Sequence, residues 1–472
     1  MAIEEHKDVE SGSSDLQEPF IQHDDDDNDN NNGSSSSSIG MVILSTLVAV
    51  CGSFSFGTCV GYSAPTQAAI REDLNLSLAQ FSLFGSLVTI GAMLGAITRV
   101  ATLLISLAAK EYAMRISSGF CITGWLAVFF SKESFILDLG RFFTGYGIGV
   151  ISYVVPIYIA EIAPKNLRGG LATTNQLLIV TGSSVSFLIG RLAPCICLLI
   201  GLCFIPESPR WLAKVGREKE FQLALKTLRG KDADISHEAQ EILDYIETLQ
   251  SLPKTKLLDL FQSKYMSFLV IGVGLMVCQQ ASGINGIGFY TSEIFVASGL
   301  SSEKAGTIAY ALIQVPFTAL GAILMDKSGR RPLITVSASG TFLGCCITGI
   351  AFYLKGQSLL LEWVPTFAVS GVLIYIAAFA IGLGSVPWVI MSEIFPINIK
   401  GSAGSLVVLL TWLGAWIVSY TYNFLMDWSA PGTFFLYAAG CLLTIVFVAK
   451  LVPETKGKTL EEIQACINSQ QK

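Results

Sequence analysis

The sequence predicts an all-α membrane protein built as two similar helix bundles, and three observations carry that expectation. Of 472 residues, 52% are hydrophobic and only 14% charged, whereas an ordinary soluble domain has about 25% charged residues. Apolar runs of roughly 20 residues, the length that crosses a hydrocarbon core of about 30 Å, recur along the chain. A charged tag is also duplicated: EIAPKNLR from Glu161 is followed by PESPRW at Pro206, and EIFPINIK from Glu393 by PETKG at Pro453. Charges repeated at the edges of apolar runs suit the water-facing ends of a duplicated bundle, since lipid cannot satisfy polar groups.

Taken in order, the first 38 residues are acidic through Asp24 to Asp27 and of low complexity through the Asn run and Ser34 to Ser38. They cannot bury a core and read as a disordered cytosolic tail. No secretory leader is expected ahead of the first apolar run. Candidate spans fall near 39–62, 79–98, 114–132, 136–160, 171–191 and 192–205, forming an N-terminal bundle over 39–205. A second set near 266–292, 305–325, 333–354, 366–392, 401–426 and 433–451 forms a C-terminal bundle over 266–452, for a nominal twelve.

Between them, residues 206–265 carry ten Lys or Arg, and EFQLALKTLR and EAQEILDYIETLQ place apolar residues at helical spacing. This stretch is expected to be a cytosolic linker of short amphipathic helices, and 453–472 a cytosolic C-terminal tail. With both termini in the cytosol, 24 of the 30 Lys and Arg fall on that side. Arg71, Lys132, Arg191, Lys304 and Lys355 fall outside and Arg141 lies within a span, a bias that follows the positive-inside rule.

The tags also measure the two halves. Glu161 to Glu207 spans 46 residues and Glu393 to Glu454 spans 61, so the first copy is 15 residues short. The deficit falls on 171–205, where 35 residues must hold two spans, and the fifth and sixth helices are expected to be shortened.

Enzyme and metal chemistry find no foothold. GYGIG at Gly145 to Gly149 resembles part of a dinucleotide fingerprint, but it lies inside an apolar helix rather than between a strand and a helix start. There, as in GAMLG at Gly91 to Gly95, glycine lets helices approach closely. The three His lie in the tail and linker, the eleven Cys show no disulfide framework or metal spacing beyond a C-x-C at Cys195 and Cys197, and no cofactor or nucleic acid is expected. Asn75-Leu76-Ser77 is an N-glycosylation triplet in the first outer loop.

PIYIAEIAPKNLRGG, PESPRW, QQASGINGIGFY, DKSGRRP, VPWVIMSEIFP and PETKGKTLEEIQ together resemble the sugar-porter branch of the major facilitator superfamily, and within it the plant early-responsive-to-dehydration-six-like monosaccharide transporters. The resemblance runs from about Ile39 to Gln464. It implies twelve helices in two pseudo-symmetric six-helix bundles and alternating access around one sugar site. The resemblance also implies a monosaccharide substrate, a monomer in lipid, and residence in the vacuolar or plasma membrane.

Gln279, Gln280 and Asn285 supply amide donors and acceptors in an apolar helix. Gln279 and Asn285 lie about 240° apart on a regular helix, and Gly283 between them offers a place to unwind. The resemblance assigns these three to the sugar, with Gln176, Gln314 and Trp388; the plain alternative is interhelical amide bonding. Gly382, Gly384 and Pro387 interrupt the tenth span. Ser385 and Thr411 stand where the family commonly has Pro and Asn.

The charges Glu161, Arg168, Glu207, Arg210, Asp326, Arg330, Arg331, Glu393 and Lys400 cluster where helices meet the cytosol. They are expected to latch the two bundles when the inner side is closed, with Lys400 in the place of the family's usual Arg. The family's D-x-x-G-R-[RK] motif, present as DKSGRR in the second half, is lacking from RVATLLISLAAKEYAMR in the first, so a charge cluster is expected to be missing there.

Coupling to protons needs a carboxylate within the membrane, yet Asp138, Glu161, Glu293 and Glu393 all lie at span ends. The proton-coupled relatives carry Asp in the first helix, where this chain has Cys59, and their counterpart of Arg141 pairs with it. Facilitated diffusion is therefore expected. Proton-coupled transport, or a sensor-like or non-functional variant without the N-terminal gating motif, remains the alternative.

Overall fold

The computed structural model describes residues 35–101, 110–164, 167–186, 193–230, 233–251, 257–299, 303–396, 399–458 and 460–469. The first half runs α1 (Ser35–Gly61), α2 (Ser63–Asp73), α3 (Leu78–Ala101), α4 (Lys110–Phe130), α5 (Ser134–Ile162), α6 (Arg168–Val185) and α7 (Ala193–Gly201). The linker forms α8 (Pro209–Val215), α9 (Glu218–Arg229), α10 (Ser236–Ser251) and a 3₁₀ turn at Leu257–Phe261. Then follow α11 (Ser263–Ala281), α12 (Ile284–Phe289), α13 (Thr291–Ser298), α14 (Glu303–Ser328), α15 (Arg330–Gly356), α16 (Val364–Ile381), α17 (Val386–Ile394), α18 (Lys400–Leu451) and α19 (Leu460–Ser469). No strand occurs among the described residues, as a lipid-embedded chain requires unless it closes a barrel.

Nine stretches among the described residues are long and apolar enough to cross a membrane. One of them, α18, is two spans joined across extended backbone at Ser429, two residues before Pro431. The expected fifth span is the 18-residue α6. Among the described residues the sixth is the nine-residue α7, about 13 Å at 1.5 Å per residue, less than a full crossing. Among the described residues the sixth span is thus shorter than a full crossing, and the shortening falls where the tag spacing places it.

α7 lies antiparallel to α1, with Cys195 Sγ 3.4 Å from Ser55 Oγ at one end and Gly201 against Val48 at the other. It thus covers the middle of α1. The linker packs by its own apolar faces, Trp211, Leu212, Phe221, Leu225, Ile242 and Ile246 forming a small core. Ser208 caps α8 by accepting from Trp211 N, with Pro209 in the first turn, which gives the S-P of PESPRW a local reason.

The glycines of GAMLG and GYGIG bring α3 and α5 into backbone contact. A Cβ on Gly145 would stand 2.3 Å from Val88 O, and one on Gly149 2.3 Å from Ala92 O. By contrast Gly119 on α4 faces open space. Gly145→Ala is therefore expected to cost about 1–3 kcal/mol by overpacking, whereas Gly119→Ala is neutral or stabilising by about 0.5–1 kcal/mol. Thermal unfolding of the detergent-solubilised protein checks both.

Candidate functional site

Each half carries the same arrangement at the end bearing the tags. In the second half Glu393 pairs with Arg330 at 3.0 Å and accepts from Thr455 Oγ1 at 2.6 Å. Glu454, next to Thr455, accepts the backbone N–H groups of Arg330 and Arg331 at the start of α15, and those of Thr455 and Lys456, all at 2.9–3.0 Å. In the first half Glu161 pairs with Lys110 at 3.2 Å and accepts from Ser208 Oγ. Glu207, next to Ser208, accepts the backbone N–H of Glu111 at 2.9 Å, at the start of α4, and that of Ser208 at 2.8 Å. A carboxylate at a helix N-terminus meets free N–H groups and the positive end of the macrodipole.

The expectation that the first half lacks this cluster is thus corrected. The Asp and Gly of the loop motif are absent, but Lys110 takes the position that Arg330 holds in the second half. The motif template conceals this, because only the cation and the backbone N–H groups at the helix start are kept. The remaining sequence signal is a cation just ahead of the third span, which begins four residues before the expected 114.

The two copies differ electrostatically. Burial pushes the Glu207 carboxyl above its ordinary value, reinforced by the nearby Glu111 charge and opposed by two backbone donors and the Lys110 charge. Burial also acts on Glu454, but four backbone N–H donors outweigh it and hold that carboxyl below its ordinary value.

Other expected pairings take different partners. Arg210 stacks over the Tyr245 ring of α10 at 5.6 Å instead of meeting Glu207. Arg331 donates to Ala449 O at 2.5 Å, and Lys400 is exposed at the start of α18. The side chains of Arg168 and Asp326 lie outside the described residues. In this conformation Glu161, Glu207, Glu393 and Glu454 are all tied within their own halves.

The amide cluster is organised by a break. Gly283 takes φ +87°, a left-handed conformation that favours glycine, and a Cβ there would stand 2.5 Å from the Tyr437 ring. α11 ends before it and α12 starts after it, which brings Asn285 Nδ2 onto Gln280 Oε1. Gln279 Nε2 instead donates to Leu383 O at 2.6 Å, within the break between α16 and α17. Ser337 Oγ accepts from Leu383 N at 2.8 Å in the same break, and Tyr375 OH donates to Ser282 O at 3.1 Å.

Gln314 Oε1, on α14, is buried with no hydrogen-bond partner. Gln176 on α6 is half-buried, and half-buried Trp388 packs on the core formed by the second half near its tags. The structure therefore joins Gln280 to Asn285 and commits Gln279 to backbone, and it joins none of Gln176, Gln314 and Trp388 to them by a resolved bond. Two mid-helix features escape sequence reasoning: Ser53 Oγ donates to Asn175 Oδ1 at 2.5 Å, and Phe56 meets the Trp412 ring edge-on at 5.9 Å. An isolated Ser or Trp in an apolar run carries no motif to mark it.

Arg141 is fully buried. It donates to Cys59 O at 2.9 Å and Ser63 Oγ at 2.6 Å, where α1 gives way to α2, and lies over the faces of Tyr62 and Phe84. Links between the halves include Gln67 to Glu293, Arg71 to Glu293, Asn423 to Ser82 and Ser184 to Ala311. Each of these lies toward the end away from the tags, where Phe81, Tyr290 and Tyr422 also pack together.

A model of the family "Sugar (and other) transporter" matches residues 11–466. Sugar transporter ERD6-like 16 of Arabidopsis thaliana is 65% identical over 99% of both chains, and ERD6-like 7 of the same plant 59% identical over 91% of this chain and 94% of its own. Among solved structures, the proton:xylose symporter XylE bound to 6-bromo-6-deoxy-D-glucose superposes with a TM-score of 0.72 at 26% identity, covering 90% of this chain and 99% of that one. The inward-open conformation of the xylose transporter XylE from E. coli gives 0.72 at 27% identity with the same coverage.

Lys110→Met leaves Glu161 without its cation and is expected to cost about 1–3 kcal/mol, with Lys110→Arg restoring most of it; melting temperature of the purified protein is the readout. The two half-buried carboxylates predict opposite acid responses. Glu454, lowered, adds stability that is present above the ordinary carboxylate pKa and lost as pH falls through its own lower value. Glu207, raised, opposes folding at neutral pH and is relieved as pH falls through its higher value. Glu454→Gln should therefore flatten the loss of stability toward pH 3, and Glu207→Gln should stabilise the protein near pH 7 relative to pH 5 more than wild type.

Proposed function

The chain belongs to the sugar transporter family, with the all-helical fold of the major facilitator superfamily, and we propose that it carries monosaccharides of the glucose or fructose type by alternating access. The observation that supports cycling is the seam between the halves, joined by Gln67–Glu293, Ser82–Asn423 and Ser184–Ala311 at one end, while Glu161, Glu207, Glu393 and Glu454 at the other are tied within their own halves. Rocking of 39–205 against 266–452 exchanges which end is joined, and the charged groups at the tags then meet across the seam. The tag end faces the cytosol, and the membrane is the tonoplast or the plasma membrane.

The sugar lies between the halves, against Gln280, Asn285, Gln314, Gln176 and Trp388. A buried amide oxygen without a partner, as on Gln314, loses less on binding a hydroxyl than on staying empty. Gln279 holds the broken tenth helix and acts on the sugar by positioning its neighbours. Flow is downhill. The symport described for XylE belongs to that protein, whereas here the thiol of Cys59 stands where proton-coupled relatives carry a carboxylate, and Arg141 bonds the Cys59 carbonyl.

Uptake of labelled glucose and fructose into proteoliposomes tests this directly. Saturable uptake that only equilibrates, with no accumulation when a proton gradient is imposed, is expected; gradient-driven accumulation would overturn the facilitator reading, and no flux under either condition would overturn transport. Gln314→Leu is expected to lower kcat/KM for the sugar by about tenfold or more, as loss of one buried hydrogen bond implies.

A further inference from the structure

At the end away from the tags, a cavity of about 580 Å3 opens between α2 and α13, lined by Ala64, Gln67, Arg71, Glu72, Asn75 and Glu293 among others. At its floor Gln67 Nε2 donates to Glu293 Oε2 at 2.6 Å. Gln67 is 5% exposed and its Oε1 is buried without a partner. Arg71 Nη1 stands 3.9 Å from Glu293 Oε1, too far for a hydrogen bond, with both side chains about one-third exposed.

Beside a carboxylate an amide can only donate, and its oxygen gains no bond there, since the carboxylate only accepts. Beside a carboxylic acid both ends of the amide are engaged, because the acid O–H donates to the amide oxygen while the amide N–H donates to the acid's other oxygen. The unpartnered Gln67 Oε1 is the oxygen that the second bond needs. We propose that Glu293 is a proton-binding site, reached through this cavity, whose protonated form closes the two-point pair with Gln67 and locks α2 to α13 across the seam.

The surroundings support closure on protonation. Burial pushes the Glu293 carboxyl above its ordinary value, against the pull of Gln67 and Arg71 and with help from the Asp427 charge on α18. The other titratable groups on adjoining elements are Glu72 and Asp73 on α2, Tyr290 before α13, Tyr310 on α14, Lys355 at the end of α15 and Tyr375 on α16. Lys355 is engaged by Ala297 O. The side chains of Glu303 and Lys304 at the start of α14 lie outside the described residues. By linkage, a state that binds the proton more tightly is favoured as pH falls, so acid closes this end. The site sets how often the carrier opens and does not by itself drive accumulation, because the proton is bound and released on the same side.

Hydrogen–deuterium exchange of the full-length protein in lipid nanodiscs tests this without relying on sugar flux. Exchange times are matched to the intrinsic rate at each pH between about 7.5 and 5. Protection of peptides covering α2 and α13 should rise on acidification, by up to about tenfold per pH unit for one linked proton. Glu293→Gln, which forms an amide–amide pair at every pH, should be strongly protected throughout and insensitive to pH. Gln67→Leu removes the acceptor and should shrink the response. A pH-independent wild type, or a wild-type response retained in either variant, overturns the assignment. Absence of transport in the same preparation would instead bear on the sugar reading alone.

Discussion

In hydrocarbon every backbone N–H and C=O must find a partner within the protein, and this constraint decides which residues become conspicuous in the chain. Regular helices meet it without help. A carrier that must bend cannot consist of regular helices only, so each break frees carbonyls and amides that side chains then have to satisfy. At the tenth span, Gln279 donates to Leu383 O and Ser337 accepts from Leu383 N. At the seventh, Tyr375 donates to Ser282 O beside Gly283, and where α1 yields to α2, Arg141 donates to Cys59 O. The polar side chains nearest the proposed sugar are thus partly the groups that make the bends tolerable, which couples bending to the site's own geometry.

The same constraint operates at the tags, where helix N-termini rather than breaks leave N–H groups free. A half-buried carboxylate from the PESPR or PETKG tag satisfies them, and a cation at the start of the same helix satisfies the neighbouring glutamate. Once the carboxylate and the free N–H groups are in place, the chemistry of the cation tolerates change. Lys110 fills the role that Arg330 fills opposite, although a lysine is a compact point charge and lacks the flat fork of a guanidinium. What the first half gives up is donor number: two N–H groups reach Glu207 where four reach Glu454.

Periodicity and length marked most helices well, because crossing lipid demands long apolar runs, and the spacing of two duplicated tags located the shortened fifth and sixth helices. The charge cluster of the first half was misread because a motif specifies side chains, whereas the structure uses backbone N–H groups and any nearby cation. Gln279 and Asn285 are ill-matched on a regular helix, and Asn285 instead meets Gln280 where Gly283 breaks the helix. The pairing of Gln67 with Glu293 joins residues 226 apart, beyond the reach of any local pattern.

Transport by alternating access requires that two halves of unequal build rock against each other. Spin labels at Lys219 on α9 and Lys458 near α19, both exposed at the tag end, report the distance between the halves once the exposed Cys197 and Cys203 have been replaced by serine. Pulsed distance measurement in nanodiscs should give a long and a short population, with saturating glucose changing their ratio. A single distance, the same with and without sugar, would mean that the halves do not cycle and would contradict the carrier.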